Sequence, residues 1–207
     1  MARDKDFKRL VRERMQLTGE RYTVARAALR RPSDVDPDEP SRLVELLADP
    51  QRANAAHERL EALPADVLRV AALRGLAHAS WRVRRRCCQL LDDLALTDES
   101  IAALNERLTD DHPGVRQAAL HTLVCETCKP EKCDVDVPAV AESMLSDTNE
   151  RVRRAAVGSL YRYDGESIVA LLQRIAENDR SRRVACARRA AACQDGKARG
   201  QMGRHRR

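Results

Sequence analysis

Apolar residues recur along most of this chain in steps of three and four. Val115, Ala118, Ala119 and Leu123 form one such set, and Val152, Ala155, Ala156 and Leu160 form another. Steps of this kind place side chains on one stripe of an α-helix. A further apolar run precedes each set by about 15 residues, giving Leu68–Leu76, Ile101–Leu108, Val137–Leu145 and Ile168–Ile175. Helix starts are signalled by Asp66, by Thr97 with Asp98, and by Gly165 with Glu166. Turn formers separate the runs, including His112-Pro113-Gly114. β-Branched runs of strand length are missing. The pattern predicts an all-α protein made of successive helix pairs.

The pairs repeat. Trp81-Arg82-Val83-Arg84, Pro113-Gly114-Val115-Arg116, Glu150-Arg151-Val152-Arg153 and Arg182-Arg183-Val184-Ala185 align on Val83, Val115, Val152 and Val184, which are separated by 32, 37 and 32 residues. Asp110, Asp147 and Asp179 each stand five residues before their valine, and Leu91, Leu123 and Leu160 each stand eight after. A helix pair cannot cover its own apolar stripe, so neighbouring pairs must stack. Over about residues 64–194 the Val-Arg start, the alanine pair and the preceding Asp resemble the HEAT repeat. The resemblance implies an α-solenoid of four to five helical pairs whose Asp and Arg form a hydrogen-bonding ladder between neighbours. Asp110/Arg116 and Asp147/Arg153 match both positions. The unit at Val83 has His78 in place of the Asp, and the unit at Val184 has Ala185 in place of the Arg, so both read as degenerate caps.

The repeats are expected to fill residues 41–194, with an irregular pair over residues 41–63. Ahead of them, residues 1–31 read as a module of two short helices. Phe7, Leu10, Val11 and Met15 share one face of the first, Thr18-Gly19-Glu20 stops it, and Tyr22, Ala25 and Leu29 mark the second. Residues 32–40, with Pro32, Pro37 and Pro40, read as a linker. Residues 195–207 hold three Gly and have no core former but Met202, which predicts a basic disordered tail.

Composition narrows the core and the compartment. Aromatic residues are 2% of the chain, so the interior must be built from Leu, Val, Ile and Ala. No apolar stretch approaches the roughly 20 residues that span a bilayer, and the N-terminus lacks a secretory apolar segment. The expectation is a cytoplasmic protein with no membrane association. Seven cysteines, an odd number, argue against a disulfide framework. Abundant alanine and an excess of arginine over lysine fit a GC-rich bacterial genome. Residues 32–179 sum to −9, while residues 1–31 carry +6 and residues 180–207 carry +9.

One cluster suggests chemistry. The 37-residue spacing contains a loop in which His121, Cys125, Cys128 and Cys133 read H-x3-C-x2-C-x4-C. His121 and Cys125 stand one helical turn apart, and the C-x2-C pair brackets a turn. Four such ligands suit a structural, tetrahedral zinc site. An iron–sulfur cluster also suits the thiolates, and reduced thiols with no metal are a third reading. P-loop, GxGxxG, GxSxG and HExxH motifs are absent, and His57-Glu58 alone does not make the repeated His-Glu pairs of a HEAT-type hydroxylase. The chain is therefore expected to be non-catalytic.

Two functions remain. As a protein-binding scaffold, the second helices would offer Arg82, Arg85, Arg86, Arg151 and Arg154 to a protein partner. As a nucleic-acid or ribonucleoprotein binder, the basic ends, including Arg199, Arg204, Arg206 and Arg207, would contact phosphates.

Overall fold

The computed structural model describes residues 2–29, 36–125, 135–160, 163, 165–181 and 184. Among these there are eleven α-helices and no strand. They are α1 (Ala2–Thr18), α2 (Tyr22–Leu29), α3 (Glu39–Leu46), α4 (Ala53–Glu61), α5 (Ala65–Gly75), α6 (Trp81–Asp92), α7 (Asp98–Arg107), α8 (Pro113–Val124), α9 (Val137–Ser143), α10 (Glu150–Leu160) and α11 (Glu166–Asn178). The chain divides into two compact units, one ending at Ala103 and the other resuming at Leu104 within α7.

In the first unit α3 and α4 form the irregular pair expected over residues 41–63. The pair begins slightly earlier than predicted, because Glu39 and Pro40 occupy the first turn of α3, where proline's missing N–H costs nothing. The next pair, α5 and α6, stacks on it: α5 packs on α3, and α6 on α4. In these two pairs Leu47, Leu60, Leu63, Leu76, Val83 and Leu91 are all nearly or wholly buried. Each such leucine contributes about 2 kcal/mol of burial. The stack is tight where α5 ends. A Cβ added at Gly75 would lie 2.3 Å from the Cys87 Sγ and 3.2 Å from a Val44 methyl, so only glycine fits there.

The N-terminal hairpin belongs to this unit. α1 runs unbroken for 17 residues, longer than the short helix expected, and ends at Gly19, whose φ of 74° closes the last turn by an N–H bond to the Met15 carbonyl. Val11 and Ala25 are fully buried and α2 packs on α4. Leu10 does not join Val11 in the interior. It is 46% exposed, because α2 covers only a narrow stripe of α1.

The second unit repeats the pairing with α8 to α11. α10 packs on both α8 and α9. Leu120, Met144, Val152 and Ala156 form one buried cluster, and Ala141, Val157, Leu160, Leu171, Leu172 and Val184 form the next.

The four valines occupy equivalent places. Each is at most 1% exposed. Each valine N–H donates to the carbonyl three residues back, at Ser80, His112, Asn149 and Ser181, with bonds of 2.9–3.2 Å. The N–H of that same residue donates to a side chain two residues further back: His78 Nδ1 (2.9 Å), Asp110 (2.9 Å), Asp147 (2.7 Å) and Asp179 (2.8 Å). A short acceptor thus turns the chain into each second helix. His78 replaces the aspartate without losing the turn. Asp49 makes the same bond to the Gln51 N–H (2.9 Å) ahead of α4, a fifth occurrence.

Candidate partner-binding surface

Each second helix sorts its arginines by position. The residue after the valine turns inward. Arg116 places Nε and Nη2 on the two oxygens of Asp147 (2.7 and 2.8 Å), and its Nη1 donates to the carbonyls of Asp110 (2.8 Å) and Asp111 (3.2 Å). Arg153 repeats this on Asp179 (2.8 and 3.0 Å) and on the carbonyls of Asp147 (2.8 Å) and Thr148 (3.3 Å). Arg84 donates through Nη1 to the carbonyls of His78 (2.9 Å) and Ala79 (2.8 Å). The planar guanidinium matches a carboxylate with two parallel bonds and still has donors for the turn. The sequence named Asp110/Arg116 and Asp147/Arg153 as the ladder positions. In the structure each arginine side chain pairs with the aspartate of the next unit, Arg116 with Asp147 and Arg153 with Asp179, and meets only the backbone carbonyl of its own unit's aspartate.

The ladder fixes charge states. Burial pushes the Asp147 carboxyl up, but Arg116 and the Asn149 N–H together hold it below its ordinary value. The Arg153 guanidinium does the same to Asp179 against a smaller effect of burial. Arg116 and Arg153 are raised in turn by their carboxylates.

In α6 and α10 the residues one before and two after the valine turn outward. In α10 these are Arg151 and Arg154, both exposed, with Gln117 of α8 on the same cavity wall, beside a space of about 620 Å³. In α6 they are Arg82 and Arg85, also exposed. Arg82 lies over the Trp81 ring, 4.9 Å from its centroid. Arg86, one position on, is half-exposed and donates to Asn54 of α4 (2.7 Å). Trp81 is half-buried beside Leu47 and Pro50. Among the described residues Arg82, Arg85, Arg151 and Arg154 meet no carboxylate. They stand in a region rich in acids, so their freedom reflects position rather than a shortage of partners. Sequence reasoning grouped Arg86 with them, and the structure ties it to Asn54.

His121 is exposed on α8, at the position that corresponds to Gln89 in α6 and Gly158 in α10. Cys125 is half-buried at the end of the same helix, where its N–H donates to the His121 carbonyl (2.8 Å). Cys128 and Cys133 lie outside the described residues, as do Arg199, Arg204, Arg206 and Arg207. Among the described residues no group of three His, Cys, Asp or Glu is placed to hold a metal. Among the described residues no helix is long and apolar enough to cross a membrane.

No curated protein matches the sequence. The family model of HEAT repeats matches residues 68–135, which contain the units at Val83 and Val115. The units at Val152 and Val184 carry the same turn and ladder beyond the matched residues. The match to HEAT repeats over residues 68–135 and the helix pairs of the described residues are together consistent with an α-solenoid, the class to which this chain is similar.

Proposed function

We propose that this protein is a non-catalytic scaffold that holds an acidic segment of a protein partner against the outward arginines of its second helices. One observation carries the reading. Arg82, Arg85, Arg151 and Arg154 are exposed and meet no carboxylate among the described residues, while Arg84, Arg116 and Arg153 bind the turns and rungs inside the fold. HEAT repeats commonly present extended surfaces to other proteins, and arginine is a favoured anchor at such surfaces. The test compares Arg82→Glu/Arg85→Glu, Arg151→Glu/Arg154→Glu and the fourfold variant with wild type. Their melting should match wild type, since the side chains are solvated. Binding to glutamate- and aspartate-rich peptides should fall in each double variant and vanish in the fourfold one. Undiminished binding by the fourfold variant would refute the reading. Mixed RNA is titrated in parallel, and RNA binding in place of peptide binding would favour the nucleic-acid function instead.

A structural zinc site formed by His121, Cys125, Cys128 and Cys133 is part of the same proposal, resting on the ligand types and their spacing. Elemental analysis should find about one zinc per chain, and Cys128→Ser should remove it. Finding iron would replace zinc with a cluster, and finding neither metal would end the proposal.

A further inference from the structure

The two outward arginine sets differ in a way that names a ligand. Around α6 three guanidiniums, those of Arg82, Arg85 and Arg86, share one helix face at i, i+3 and i+4. They border a single cavity of about 420 Å³ with Leu47, Pro50 and Trp81. Two of the three are held in place before any ligand arrives. Arg82 is stacked on Trp81 and Arg86 is hydrogen-bonded to Asn54. A guanidinium held over an aromatic face keeps N–H donors free along its own edge. Arg85 has no partner among the described residues. α10, by contrast, offers two arginines with no aromatic or aliphatic wall.

We infer that the Trp81–Arg82–Arg85 cavity is a phosphomonoester subsite that takes a phosphorylated side chain from the protein partner. A single carboxylate brings one charge and two acceptor oxygens, and would leave three clustered guanidiniums largely uncompensated. A phosphomonoester carries nearly two charges and three strong acceptors at neutral pH, which matches the three forks. Pro50, which is exposed, gives the carbon stem of the phosphorylated residue an apolar wall. A nucleic-acid phosphate fits less well, because one face of Trp81, the only tryptophan in the chain, is covered by Arg82 instead of being open to a base. The inference rests on the scaffold function and specifies the partner's chemistry at one of its two arginine sets.

The test uses the full chain, with Trp81 emission as a reporter inside the cavity. It is titrated with a degenerate phosphoserine peptide library, the same library with serine or glutamate at the fixed position, inorganic phosphate, and mixed single-stranded RNA. The phosphoserine library should shift Trp81 emission and bind about tenfold more tightly than the glutamate library. Arg82→Ala and Arg85→Ala should each erase that preference. Arg85→Lys should recover only part of it, since a point charge replaces a two-pronged donor. Arg151→Glu/Arg154→Glu should leave the preference in place. Equal binding of phosphoserine and glutamate libraries would overturn the phosphate subsite and leave the acidic-partner function standing. Failure of both libraries to bind would remove both. Inorganic phosphate that matches the peptide in affinity, or RNA that binds more tightly through Arg85, would assign the cavity to another ligand and overturn the inference.

Discussion

Arg153 and Arg154 are adjacent in sequence and opposite in role. Arg153 is 9% exposed, and all of its bonds are made inside the fold. Removing it strands the Asp179 carboxylate, whose side chain is 7% exposed, and the turn carbonyls of Asp147 and Thr148. Loss of one member of a buried pair costs about 3–5 kcal/mol. Arg154 is exposed and bonded to nothing among the described residues, so its loss should change stability by less than about 0.5 kcal/mol. Urea unfolding of Arg153→Ala and Arg154→Ala should show this contrast, and equal midpoints would refute the ladder's role. The rungs also set an acid limit. Asp147 and Asp179 titrate below their unfolded values, so their stabilisation is complete above the unfolded carboxylate pKa, near 4, and is lost as pH falls through the lower folded values. Arg153→Ala should flatten the part of the acid-unfolding profile that Asp179 contributes.

Between elements, the decisive contact is the approach of α5 to α6 at Gly75. Gly75→Ala drives a Cβ to 2.3 Å from the Cys87 Sγ, and overpacking of this kind costs about 1–3 kcal/mol. Cys87→Ala removes that sulfur and leaves its Cβ at 3.6 Å, an ordinary contact. The double variant should therefore be more stable than Gly75→Ala alone. Additive losses in a double-mutant cycle would show that Cys87 is not the obstacle. Burial keeps that thiol protonated, by raising its pKa, with Cys88 adding to the effect. The sequence could not show this contact, since a helical glycine carries no record of what crosses it. It did show the valine register, because three anchors recur together at a fixed offset, and the resemblance to the HEAT repeat implied an Asp–Arg ladder between neighbours without saying which aspartate each arginine meets. It also showed His78 as a departure, though not that the imidazole Nδ1 makes the aspartate's bond. Asp49 escaped notice because α4 starts four residues after it and places Asn54 where the other repeats have valine. Of the candidate partner site, position along the helix separated inner from outer arginines, whereas the Asn54 bond to Arg86 depends on α4 and left no trace in the pattern around α6.

At the scale of a whole unit, the N-terminal hairpin is part of the first repeat stack through the packing of α2 on α4, and charge at the turn before α2 offers a test of what else holds it. α2 packs on α4, and the charge of Arg21, in the turn before α2, acts on Glu61 and Asp93. Glu61 and Asp93 stand with Asp92 at the ends of α4 and α6, and His57 lies one turn before Glu61. Burial raises the Asp93 pKa, its neighbours Asp92 and Glu61 raise it further, and Arg21 and His57 oppose the shift. Glu61 is lowered chiefly by its bond to His57, with burial opposing and Arg21 helping. Arg21 thus adds to His57 as a counter-charge to these acids. Arg21→Glu puts a further anion beside three acids and should loosen the hairpin first, because Val11 and Ala25 are its few fully buried anchors. Limited proteolysis should cut between α1 and α2 faster in this variant than in wild type, and more so at low salt, where charges are least screened. Mild acid should restore part of the protection as Asp93, whose pKa is raised, takes up a proton. Cleavage at the wild-type rate under all these conditions would mean that apolar packing of α2 on α4 holds the hairpin without help from charge.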